Sequence, residues 1–147
     1  MKKNLFYLLG AAIAMMLIAT SCNKKQALED QVVGKWESTS ITLKEYVDGE
    51  LMLETTIPGN TIAYKFTFNA NGTGQIGIAM DGEEDSESIT WYVDEKELIL
   101  STGADDEPTV LDVLSIGRSD MELRLVYDYS DQGIDQSEEM LIKLKRL

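Results

Sequence analysis

From residue 62 to the C-terminus the chain alternates apolar and polar positions. Tyr64, Phe66 and Phe68 alternate with Lys65 and Thr67, and Ile76, Ile78 and Met80 with Gly77 and Ala79. Ile89, Trp91 and Val93 alternate with Thr90 and Tyr92, and Met121, Leu123, Leu125 and Tyr127 with Glu122 and Arg124. Met140, Ile142 and Leu144 close the series against Leu141, Lys143 and Lys145. A period of two sends successive side chains to opposite faces, which is what a half-buried antiparallel strand requires. Turn chemistry separates the runs: Asp48-Gly49, Asn71-Gly72, Asp81-Gly82, Asp94-Glu95-Lys96, Arg118-Ser119-Asp120 and the loop at Gln132-Gly133. Asn-Gly and Asp-Gly tolerate positive φ and so suit tight hairpins. The pattern predicts nine strands, at 35–47, 50–57, 62–69, 73–80, 87–93, 96–101, 109–117, 120–129 and 138–146. Connections this short leave no room for crossover helices, so the sheet is an antiparallel meander. A meander of this many twisted strands closes to remove its edges. The expected fold is all-β, a small up-and-down barrel of eight or nine strands.

The N-terminus reads differently. Lys2 and Lys3 precede an uncharged apolar stretch from Leu5 to Ala19. It falls short of the ~20 residues a transmembrane helix needs but suits the core of an export signal. Ala19-Thr20-Ser21-Cys22 then brings small residues up to the only cysteine. This resembles the lipobox of bacterial lipoproteins, which implies that the Cys22 thiol receives a diacylglycerol and becomes the mature N-terminus. The alternative is a free cysteine beside an ordinary signal peptide or an uncleaved anchor. The expected organisation is a signal peptide at 1–21, a lipidated tether at 22–31 and the barrel at 32–147. Within it, Leu28, Val32 and Val33 fall on one side of a single helical turn. Lys24 and Lys25 stand where surface-exported lipoproteins resemble one another in carrying acids, which favours a lipid-anchored envelope protein on the periplasmic side of the outer membrane.

Composition narrows the chemistry. Among 147 residues there are 26 acidic and 13 basic side chains, one cysteine and no histidine. Without histidine there is no Ser-His-Asp or Cys-His nucleophile, and zinc and iron lose their commonest ligand. A net charge of −13 argues against nucleic acid, whose phosphates require a basic face. Removal of residues 1–21 takes away Lys2 and Lys3 and no acid, so the mature charge is 11 − 26 = −15. No P-loop or dinucleotide fingerprint is present, and no cofactor is expected.

The order of the remaining elements carries a resemblance. Gly34-Lys35-Trp36 opens the first strand and Phe66 to Gly74 forms a mid-chain hairpin. Ile89-Thr90-Trp91-Tyr92-Val93 leads through Asp94-Glu95-Lys96 into Glu97-Leu98-Ile99-Leu100, and Val113 to Ile116 precedes Met121 to Leu125. Over residues 32–147 this is similar to the bacterial lipocalin-like lipoproteins. The Thr-Asp-Tyr element of vertebrate-type lipocalins is missing, and no disulfide ties down the tail. The resemblance implies a calyx whose closed end is plugged by Trp36 against an arginine from a late strand, Arg124 or Arg146, as a structural latch.

For the lumen, Tyr64, Trp91 and Tyr92 are the candidate ligand-lining aromatics, since such rings give large apolar contacts with polar tips; the alternative is that they fill the interior. Eight strands enclose a space that side chains can pack or one small ligand can occupy. If Ile76, Ile78 and Met80 point outward, Gln75, Gly77 and Ala79 form a recess in the lumen. The acids crowd near Asp81 to Glu87, Asp105 to Glu107 and Asp128 to Glu139. They read as hairpin tips forming a solvated rim; their spacing fits no EF-hand calcium loop, and paired carboxylates for glycoside hydrolysis would need to flank a cleft. The expected function is non-catalytic binding of a small apolar or amphiphilic molecule. The alternative is a tethered module with a packed interior that engages another envelope protein.

Overall fold

The computed structural model describes residues 26–103, 107–131 and 133–147. The signal peptide, Cys22, the start of the tether, Asp105, Asp106 and Gln132 lie outside the described residues. A short helix α1 (26–32) precedes nine strands. These are β1 (Gly34–Val47), β2 (Glu50–Pro58), β3 (Ile62–Phe68), β4 (Thr73–Met80) and β5 (Glu83–Asp94), then β6 (Glu97–Ser101), β7 (Thr109–Ile116), β8 (Asp120–Asp131) and β9 (Ile134–Arg146).

Each strand pairs antiparallel with its neighbour, and β1 pairs with β9 to close the sheet. The result is an eight-stranded barrel with one extra strand. β2 and β3 lie along the same edge of β1: Ser40–Val47 pairs with β2, while Gly34–Glu37 pairs with β3. Between them the chain leaves the ladder, and two side bonds bridge the gap. Gly59 N–H donates to Thr39 O at 2.9 Å, and Tyr64 N–H donates to the buried Ser38 hydroxyl at 2.9 Å. The Asp-Gly pairs at 48–49 and 81–82 turn with positive φ at both residues, as two-residue hairpins demand.

The first and last acidic clusters differ from the sequence expectation. Residues 83–86 and 134–137, expected as hairpin tips, are in strands, because β5 begins at Glu83 and β9 at Ile134. Backbone pairing there outruns the apolar pattern: both faces of these segments meet solvent, so alternation fades while the ladder continues.

The core occupies the closed half. Trp36, Phe68, Val93, Leu98, Met121 and Leu123 are fully buried, and α1 lies over this end with Val32 equally buried and Leu28 packed beside it. Residues 26–31, expected as tether, thus contribute to the domain's lid.

Candidate functional site

Above that packed half the barrel is not filled. A cavity of about 250 Å³ opens toward the end that carries the 47–50, 80–83 and 131–134 connections. Phe66, Ile89, Leu100, Leu111 and Ile142 form its buried base; Tyr64, Ile76, Leu125 and Met140 form its wall, and Tyr127, Thr109 and Glu107 stand toward the mouth. The inward rows follow from register: Phe66 faces Ile76, Leu125 faces Met140 and Leu123 faces Ile142 across their strand pairs, and directly opposed residues share a face. The side chains that would plug the lumen higher up are replaced by exposed ones, Ile78, Met80 and Tyr127, so the column of large buried residues stops at the cavity base.

Of the four expected lining residues, the structure brings only Tyr64 to this cavity. Gly77 is on the outer face. It pairs with Lys65 and Ser86, whereas Ile76 pairs with Phe66, so the expected recess of Gln75, Gly77 and Ala79 is reversed. The three-residue loop 70–72 sets this register; a two-residue loop on Asn71-Gly72 would have placed Gly77 opposite Phe66, since a one-residue slip exchanges faces. The absent side chain at Gly77 has a use outside: it leaves β4 low enough for Lys65 on β3 to reach across and pair with Glu84 on β5. Tyr92 is also outward and 55% exposed, for it opposes Ile99 one position out of phase with Trp91. Trp91 is buried inside, below the cavity. Its ring meets Phe68 edge-on at 5.2 Å, and its Nε1–H donates to Thr73 O at 3.0 Å and Asn69 O at 3.2 Å, which fixes it to the hairpin turn.

At the closed end the guanidinium carbon of Arg146 lies 4.2 Å from the Trp36 ring centroid. Arg124 is not part of this pair. It points outward and holds Asp112 through Nε at 2.9 Å and Nη2 at 2.6 Å; this bond raises its pKa above the ordinary arginine value.

Among the lining residues that the sequence reasoning missed are Ile76, Leu125, Met140 and Glu107. The first three were visible as apolar positions, and phasing strand four against Phe66 would have turned Ile76 inward. Glu107 carried no such signal, since it lies outside any alternating run. Among the described residues no three acidic side chains come together to hold a metal ion.

A family model described as a lipocalin-like domain matches residues 32–123. Among solved structures, lobster apocrustacyanin A1 is similar in fold at 15% identity and a TM-score of 0.44, covering 78% of this chain and 61% of its own. Apocrustacyanin C1 gives 15% identity and a TM-score of 0.43 over 77% and 60%. The chain therefore spans less than two thirds of the length of these neighbours. No curated protein matches. With a closed eight-stranded barrel, a floor built on Gly34 and Trp36, and that match over most of the barrel, the chain belongs to the lipocalin-like domain family.

Proposed function

We propose that the protein is a non-catalytic envelope lipoprotein that holds a small apolar or amphiphilic molecule in the upper lumen. Lipocalin-like barrels typically bind small hydrophobic ligands and are generally not enzymes. The observation that carries the reading is the cavity: about 250 Å³ walled mainly by aliphatic and aromatic side chains, larger than the ~150 Å³ apolar cavity that accommodates benzene. The alternative is a tethered interaction module with a packed interior; the open upper lumen favours the binding reading.

The signal sequence and Cys22 support attachment to the outer membrane facing the periplasm. Cys22→Ser should leave a precursor that no longer partitions into membranes, because serine forms no thioether lipid and durable anchoring needs more than one acyl chain. Equal partitioning after signal removal contradicts the anchor. Mass spectrometry of organic extracts from natively purified protein tests the ligand: a stoichiometric small molecule supports it, and its retention in a variant with a filled lumen opposes it.

A further inference from the structure

The ligand reading leaves charge open, and the distribution of ionisable groups inside and outside the barrel addresses it. Resting on that reading, we infer that the ligand is a cation: an apolar body in the lumen bearing an ammonium or similar positive group at the mouth. Among the described residues Glu107 is the one charged side chain lining the cavity. Glu87 stands directly opposite Ile76, and Glu138 directly opposite Tyr127, so both extend the inner face from cavity-lining residues. Higher on the same face, Asp85 opposes Ile78, Glu83 opposes Met80, and Glu45 opposes Glu138. Acidic and apolar side chains thus alternate around the entrance.

Among the described residues no base answers them. Lys35, Lys44, Lys65, Arg124, Lys143 and Lys145 occupy outward positions, fixed by their pairing with Thr67, Glu139, Gly77, Asp112, Glu122 and Asp120. Lys96 and Arg118 lie in closed-end turns, and Arg146 is stacked on Trp36. Among the described residues the ion pairs are Lys44–Glu139, Lys65–Glu84, Arg124–Asp112 and Lys145–Glu37, all on the outer face. Four outer acids therefore have cationic partners, whereas among the described residues Glu107 at the cavity and Glu87 and Glu138 beside it have none; the Glu138 carboxylate accepts a hydrogen bond only from the neutral Tyr129 hydroxyl, at 3.1 Å. A mouth of one sign over low-dielectric walls concentrates ions of the opposite sign and repels an anionic amphiphile.

The test compares octylammonium, 1-octanol and octane-1-sulfonate as competitors of a neutral fluorescent probe, N-phenyl-1-naphthylamine, at low salt with the folded domain. The expected order is ammonium, alcohol, sulfonate, with at least tenfold between the ends and most of the spread lost at high salt. Glu87→Gln, Glu107→Gln and Glu138→Gln together should weaken octylammonium at least fivefold and leave 1-octanol unchanged. The same charge change placed elsewhere, Glu54→Gln, Asp94→Asn and Glu122→Gln, should leave the order intact. If all three compounds compete equally, or the distant variant acts like the mouth variant, the cation inference is overturned while the ligand reading stands. If none competes, not even 1-octanol, both fail together.

Discussion

Arg146 lies over Trp36 and at the same time holds the carbonyls at the end of α1. Its Nη1 donates to Val33 O at 2.7 Å, Nη2 to Gln31 O at 2.6 Å and Nε to Arg118 O at 2.8 Å. Trp36 Nε1–H donates to Val32 O at 2.8 Å from the other side. The last strand, the first strand and the helix are thereby joined at one point, and carbonyls that a helix end leaves unpaired are satisfied. Trp36→Ala should cost ~3–5 kcal/mol through the cavity it leaves. Arg146→Lys, which keeps the charge but not the planar fork, should cost ~2 kcal/mol. Denaturant titration of the folded domain checks both, and a loss under about 1 kcal/mol for Trp36→Ala would contradict its place in the floor.

Gly34 makes that arrangement possible. Its φ is +141°, and a Cβ there would run into the Arg146 guanidinium. Gly34→Ala should therefore destabilise by ~2 kcal/mol or more, combining backbone strain with displacement of the arginine. In the Arg146→Ala background the steric part should disappear, so the two changes should be less than additive in a double-mutant cycle.

Gly77, being outside, gives the opposite expectation for binding. Gly77→Ala brings a methyl to 3.2 Å from Asp85 O and should cost at most about 1 kcal/mol. Gly77→Leu should interrupt the Lys65–Glu84 pair, visible as a fall in the Lys65 pKa by NMR, while probe affinity changes less than about twofold. A lost probe site would return Gly77 to the lumen.

Lys44 and Lys65 both have pKa values above the ordinary 10.5, chiefly through hydrogen bonds to Glu139 and Glu84. A raised folded-state pKa means that the folded chain holds these protons more tightly than the unfolded one. Their stabilisation is complete below pH 10.5 and is lost as pH rises through the folded values. Urea midpoints should fall above that pH, and more steeply in the wild type than in Lys44→Met with Lys65→Met.

The strands and their order were legible because alternation survives wherever one face is buried. Residues 83–86 and 134–137 were not read as strand, since their inner face is the solvent-filled barrel mouth and carries no apolar alternation: Glu83 and Asp85 point inward in the first, and Ile134 and Gln136 in the second. The latch was legible in Gly34-Lys35-Trp36, but its partner was ambiguous between Arg124 and Arg146 until register placed the first outside and the second inside. Trp91 and Tyr92 illustrate the limit of composition: adjacent aromatics on one strand must face opposite ways, and neither lines the cavity. Which rows point inward at a given height depends on loop length and on the β1 irregularity between Ser38 and Ser40, which shifts parity along the strand.

The central claim is that the upper lumen is a binding cavity, and filling it tests this most directly. Ile76→Phe with Met140→Phe adds ring volume from two facing walls while Trp36, Phe68 and Leu123 below are untouched. Fluorescence titration with N-phenyl-1-naphthylamine should show saturable binding to the wild type and at least a tenfold loss in this variant. Its unfolding midpoint should stay near wild type, because the added rings enter empty space. Unchanged probe affinity in the folded variant would contradict the account.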